Sequence, residues 1–136
     1  LATAGTCSVS ITNSEDDIFS FCSSITTDCR KYVSEKCKRV HYNGDFNKKL
    51  KTDLSFYGLL GKYSTEKYIP DDYKYNSLDT RIRILAGLLN TDGCAKKNHP
   101  SMRFSSSSQR LVDDVIEVAR SLGMYTIKLK TTKMIN

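Results

Sequence analysis

Polar and apolar residues alternate along Ser8-Val9-Ser10-Ile11-Thr12, and the same alternation returns at Ser101-Met102-Arg103-Phe104-Ser105. A period of two predicts half-buried strands. Each stretch leads into a helical pattern. After the first, Glu15-Asp16-Asp17 place acids where a helix N-terminus favours them, and Ile18, Phe19, Cys22 and Ile25 share one face. This predicts a helix over 15–26. After the second, Ser106-Ser107-Ser108 precede Leu111, Val112, Val115, Val118, Ala119 and Leu122, predicting a helix over 109–122. At an offset of 93 residues Val9 meets Met102, Ile11 meets Phe104, Ile18 meets Leu111 and Cys22 meets Val115. The chain therefore reads as an internal repeat, and a pseudo-twofold fold is expected.

Between the copies, apolar Tyr32, Val33, Val40 and Tyr42 interleave with charges and predict strands near 30–35 and 37–43, with a turn at Asn43-Gly44-Asp45. Phe46, Leu50, Leu54 and Tyr57 predict a helix over 46–60, ending near Gly61. A loop through Pro70 and Asp71-Asp72 follows. From about Leu78 the pattern is helical again, with Ile82, Leu85, Leu88 and Leu89 on one face. Ala86 and Gly87 leave room for another backbone to approach. Gly93 suits a left-handed stop after the helix. Asp92 is out of place, because a carboxylate in the last turn faces the negative end of the helix dipole. Two explanations fit: an exposed Asp-Gly turn, or a divalent cation held beside the carboxylate. After Gly123, Tyr125 to Thr131 alternate, with Ile127 and Leu129 opposite Lys128 and Lys130.

Charge narrows the function classes. The 136 residues hold 21 Lys+Arg against 15 Asp+Glu, a net +6, which favours a polyanionic partner. Residues 28–51 concentrate it, with eight basic residues against three acidic. No apolar run is long enough to span a membrane, and no signal peptide is visible. The five cysteines form no CxxC pair, which argues against a disulfide framework and a zinc site and for a reducing compartment, cytosol or nucleus. Two histidines, His41 and His99, leave little for a catalytic triad; His99 and Asp79 are expected at the surface.

Leu85-Ala86-Gly87-Leu88-Leu89-Asn90-Thr91-Asp92-Gly93 resembles the LAGLIDADG (dodecapeptide) motif of homing endonucleases, including those embedded in inteins. Lys67-Tyr68-Ile69-Pro70 upstream is similar to the Lys-x-Ile-Pro that precedes the second motif in the intein endonucleases. Arg81 and Arg83 lead into the helix, and Ser121-Leu122-Gly123 closes a later one as in that family. The sixth motif position, commonly acidic, is Asn90. The resemblance implies an α+β fold of pseudo-twofold αββαββα repeats with a saddle-like antiparallel sheet. Against that pattern the chain looks truncated at both ends: residues 1–63 as the first repeat, 64–77 as linker and 78–136 as the second repeat. It also implies Mg²⁺-dependent hydrolysis of duplex DNA, with Asp92 as catalytic metal ligand and Lys67 as catalytic lysine. In the first copy, Thr3-Ala4-Gly5-Thr6 stands where the family has Gly-Asp-Gly-Thr. Ala4 occupies the acidic position and cannot ligate a metal, so at most weak nicking is expected. The shortened motif helix is expected to leave an apolar patch at Leu85, Leu88 and Leu89.

The polar strand faces would then be the DNA surface: Ser8, Ser10, Thr12, Arg30, Arg39 and His41 in the first copy, and Arg103, Ser105, Lys128 and Lys130 in the second. Taken singly, each fits a solvated sheet face; as a set they fit a groove. Flanking intein splicing segments or host protein are expected partners, and no small-molecule substrate is. The C-terminal Lys133-Met134-Ile135-Asn136 has no His before its Asn, so splicing chemistry is assigned to the flanks. Two other classes remain open: a module binding DNA or intron RNA without cleavage, and a decayed structural insert.

Overall fold

The computed structural model describes residues 8–95 and 97–130. The chain divides into two compact units, Leu1–Lys67 and Tyr68–Asn136. Each combines helices with antiparallel strands.

The first unit contains β1 (Ser10–Asn13), α1 (Asp16–Ser24), β2 (Cys29–Val33), β3 (Lys38–Tyr42) and α2 (Gly44–Phe56). The order β1-β3-β2 puts the most alternating strand in the middle. Ile11 and Lys31 both pair with Val40, and Ser10 and Arg30 both pair with His41. One face carries Val40 and Tyr42, each 1% exposed, and it packs with Cys22 of α1. Ile18, Phe19, Phe46 and Leu50 complete this core, so both helices contribute to it. Apolar β-branched and aromatic residues on the inner pleat drive this burial, while the outer pleat stays polar. The Tyr42 hydroxyl donates to the Cys22 carbonyl at 2.8 Å, which satisfies this buried polar group. Burial pushes the Tyr42 phenol up to about 12 and raises the Cys22 thiol as well. Val9 is tied on both sides: its N–H donates to Asn47 Oδ1 at 2.8 Å and its carbonyl accepts from Tyr42 N–H at 3.0 Å. The helix expected over 46–60 starts at Gly44, whose φ of +56° lets the chain turn out of β3. It stops at Phe56, where the Leu54 carbonyl takes the N–H groups of Leu59 and Leu60.

The second unit contains α3 (Asp71–Lys74), α4 (Leu78–Asp92), β4 (Gly93–Ala95), β5 (Met102–Phe104) and α5 (Gln109–Ser121). Serines begin the long helices. Ser77 Oγ accepts from Thr80 N–H, and the fully buried Ser108 Oγ accepts from Leu111 N–H at 3.1 Å. The core is Ile69, Leu85, Leu111, Val115, Val118 and Ala119, with Ile84, Leu88, Leu89, Phe104 and Leu122 against it. No helix among the described residues is long and apolar enough to cross a membrane.

The described strands form a three-stranded sheet in the first unit and a two-stranded sheet in the second. Three expectations are corrected. The patch expected at Leu85, Leu88 and Leu89 is not open, because α5 buries Leu85 to 4% exposure and half-buries the other two. Leu78, Ile82 and Gly87 are the parts of α4 left exposed or without a close neighbour. Gly93 is extended, with φ −88° and ψ 159°, not left-handed. Glycine is needed there for space, since a Cβ would stand 2.2 Å from the Leu89 carbonyl oxygen. The alternating stretch after Gly123 joins no strand ladder within the described residues 124–130. Ile127 and Leu129 are 69% and 75% exposed, because no neighbouring strand gives the alternation a face to bury.

Tyr42 tests the first core. Tyr42→Phe should lower stability by about 1 kcal/mol through the lost hydrogen bond. Tyr42→Ala should lower it by about 3–5 kcal/mol through the cavity. Urea unfolding followed by far-UV circular dichroism checks both; equal losses would mean that the ring contributes nothing beyond its hydroxyl.

Candidate nucleic-acid interface and nuclease site

Because β3 alternates, Arg39 and His41 point away from the core that takes Val40 and Tyr42. Two cross-strand rows result: Ser10, His41 and Arg30, then Thr12, Arg39 and Tyr32. Five predicted DNA-contact residues of the first copy therefore lie on one face, and Ser8, half-buried, precedes Ser10 at the same parity. The face is internally organised. Arg39 Nε donates to Thr12 Oγ1 at 3.1 Å. The Tyr32 and His41 rings meet edge-on, centroids 6.4 Å apart at 85°. Tyr32 was not singled out from sequence. Its parity with Arg30 in a strand whose partner row carries Arg39 was the available signal. Lys38, on the opposite pleat, pairs with Asp16 of α1.

In the second unit, Arg103 sits opposite Cys94 in the β4–β5 pair and is exposed, on the side away from Phe104 and the core. Ser105, just beyond β5, and Lys130 are also exposed. The Lys128 ammonium pairs with Asp113 of α5, and that contact holds the Asp113 carboxyl below the usual carboxylate range. Lys128 is thus engaged with α5 and not grouped with Arg103.

Asp92 is the last residue of α4 and is exposed. Its carboxylate makes no hydrogen bond or ion pair with the described residues, while the nearby Thr91 hydroxyl is turned back onto the Gly87 and Leu88 carbonyls. Lys67 is exposed and precedes Ile69 by two residues. Ala4 lies outside the described residues. A family model for homing endonucleases matches residues 68–135, half of the chain.

The chain belongs to the homing endonuclease family. It is also similar to the replicative DNA helicase DnaB of Mycobacterium intracellulare, 40% identical over 85 residues. That alignment covers 62% of this chain but only 14% of the helicase. No solved structure matches.

The part of the endonuclease that the family match covers is held by a polar cluster that sequence inspection missed. Asp114 is 5% exposed. Its Oδ2 accepts from the Ile69 N–H and its Oδ1 from Lys74 Nζ, both at 2.9 Å. Lys74 also reaches Glu117 at 3.2 Å, and the Tyr75 hydroxyl donates to Glu117 Oε1 at 2.8 Å. The Arg110 guanidinium lies 3.8 Å from the Tyr68 ring centroid. The segment from Tyr68 to Tyr75 is therefore fastened to α5. The signal was in the sequence: Asp114 is three residues from Leu111 and four from Val118, so a carboxylate stands on an apolar helix face and needs a partner. Hydrogen bonding to Asp114 raises the Lys74 pKa, and the Tyr75 and Lys74 contacts lower that of Glu117.

Among the described residues no three His, Cys, Asp or Glu side chains cluster to hold a metal. Magnesium is usually bound through one or two carboxylates and phosphate oxygens. Asp92 offers one carboxylate, and Ala4 offers none. Asp92 alone would hold a magnesium ion only together with phosphate oxygens and water.

The polar cluster predicts a pH dependence. Glu117, with its pKa below the ordinary 4.5, adds stability above that pH that is lost as pH falls through the folded value. Lys74, raised above 10.5, adds stability fully present below that pH and lost as pH climbs past it. Stability should therefore fall on both flanks in urea unfolding across pH, and Glu117→Gln should flatten the acid flank and soften the alkaline one, because Glu117 also helps to raise the Lys74 pKa. Asp114→Ala, which leaves the buried Ile69 N–H unpaired and takes the main partner from the half-buried Lys74, should lower stability by about 1–3 kcal/mol at pH 7. A loss within the error of the measurement would show that the cluster is solvated and carries no weight.

Proposed function

We propose that this chain is a LAGLIDADG-type homing endonuclease module from an intein that binds duplex DNA and cleaves it weakly or not at all. The single observation that carries the DNA-binding part is the polar sheet face. Arg30, Arg39, His41, Ser10 and Thr12 stand in register on one side, and an apolar core backs them on the other. Cationic and hydroxyl groups on a pleated face suit base edges and phosphates together. The net charge of +6 adds a sequence-independent attraction. Arg103 and Ser105 are proposed as contacts of the second unit, and the two units as copies of one strand–helix plan. Ile18 with Cys22, and Leu111 with Val115, supply the matching core positions.

The intein setting is supported by the helicase match. A homing endonuclease chain that aligns with a small share of a much longer helicase fits an insert carried in such a host. For cleavage, the proposed groups are Asp92 as the remaining acid and Lys67 as the cation that offsets charge developing on the scissile phosphate. Ala4 removes the second acid, which favours binding without an efficient double-strand break.

One set of assays tests both parts. Mobility shifts on a site selected from a randomised duplex library should show affinity that falls steeply with salt, and Arg39→Ala should weaken it by about 1–3 kcal/mol. With Mg²⁺ present, a plasmid bearing the site should be nicked slowly and not linearised. Asp92→Asn should abolish the nick without changing the shift. Efficient linearisation would overturn the impaired-enzyme assignment. Absence of salt-dependent binding would overturn the DNA surface.

A further inference from the structure

We infer that Tyr32 reads a base: its ring makes an apolar contact with a thymine C5-methyl group, next to a guanine held by Arg39. This role presupposes that the sheet face binds duplex DNA, as proposed above. Tyr32 is 52% exposed and pairs with Arg39 across the β2–β3 ladder. Edge-on contact with His41 favours one orientation of its ring. Thr12 occupies Arg39 Nε, which orients the guanidinium while its two terminal nitrogens have no partner among the described residues. Two terminal nitrogens in a fixed plane match guanine O6 and N7, and the thymine methyl is the apolar mark of the same groove.

The dimensions agree. Three strands about 4.8 Å apart span about 10 Å, within a major groove about 12 Å wide. Successive rows on one face are about 6.8 Å apart, about two base-pair steps. The six residues of the two rows include no lysine and no carboxylate. Directional groups such as a guanidinium plane, hydroxyls and flat rings occupy them instead, as base readout requires. An exposed tyrosine on an edge strand is more often only a packing partner for its neighbour. In that case Tyr32 would affect stability and leave base preference unchanged.

The test uses this chain and the site it selects from a randomised duplex library, with each thymine in turn replaced by uracil to remove only the methyl group. One replacement should weaken binding about fourfold, the worth of one buried methyl. Tyr32→Ala should bind the thymine and uracil duplexes equally, Tyr32→Phe should keep the preference, and the salt dependence should be unchanged in both. Far-UV circular dichroism should show both variants folded at the temperature of the binding assay. A uracil penalty that persists in Tyr32→Ala, or a selected site in which no thymine responds, overturns the role of Tyr32 and leaves DNA binding standing. Failure to select any site, with no salt-dependent binding, overturns the DNA surface itself.

Discussion

Strand β3 has a hydrogen-bonded neighbour on each side, so its pleat has no freedom to shift. Val40 and Tyr42 go into the core and Arg39 and His41 go out. A slip of one residue would exchange the two sets, exposing the largest apolar groups and burying a guanidinium without a partner. That penalty locks the register of the central strand. β1 and β2 are in turn registered to it, so Ser10, Thr12, Arg30 and Tyr32 take positions on the outer face that the inner face determines. The arrangement of the polar surface is thus a consequence of what the core needs to bury.

The second unit relies on a different constraint. Asp114 is buried at a position that packing alone would give to an apolar residue, and it is tolerable only because an N–H group and an ammonium converge on it. Its partners are 45 and 40 residues away in the chain. The cluster therefore fastens the segment that leads into α4 onto a helix that forms much later in the sequence. Ile69, itself buried, adds an apolar anchor to the same segment. Together these contacts define where α4 begins, and the length of α4 then carries Asp92 to its exposed end.

Much of this architecture is visible in local patterns. Alternation at 8–12, 30–35, 37–43 and 101–105 corresponds to β1, β2, β3 and β5, and the helical faces at 15–26 and 109–122 to α1 and α5. Strand β4 is three residues long and has no alternation to detect. The stretch 124–130 alternates clearly but forms no strand, because a strand needs a neighbour and its own sequence does not supply one. Gly93 was expected for its torsional freedom and is required for its lack of a side chain, a distinction that depends on how closely Leu89 approaches.

The sequence by itself determined the period of each element, the positive balance of charge and the placement of Asp92 at a helix end, because these depend on neighbours within a few residues. The tertiary structure decided which of the cations share a face and which are used internally. Arg30 and Arg39 stand together, while Lys38 and Lys128 turn to Asp16 and Asp113. It also decided that α5 covers Leu85 and that Asp114 has partners. Those outcomes depend on contacts between residues far apart in the chain, and the spacing of residues along a sequence carries no record of which distant groups will meet.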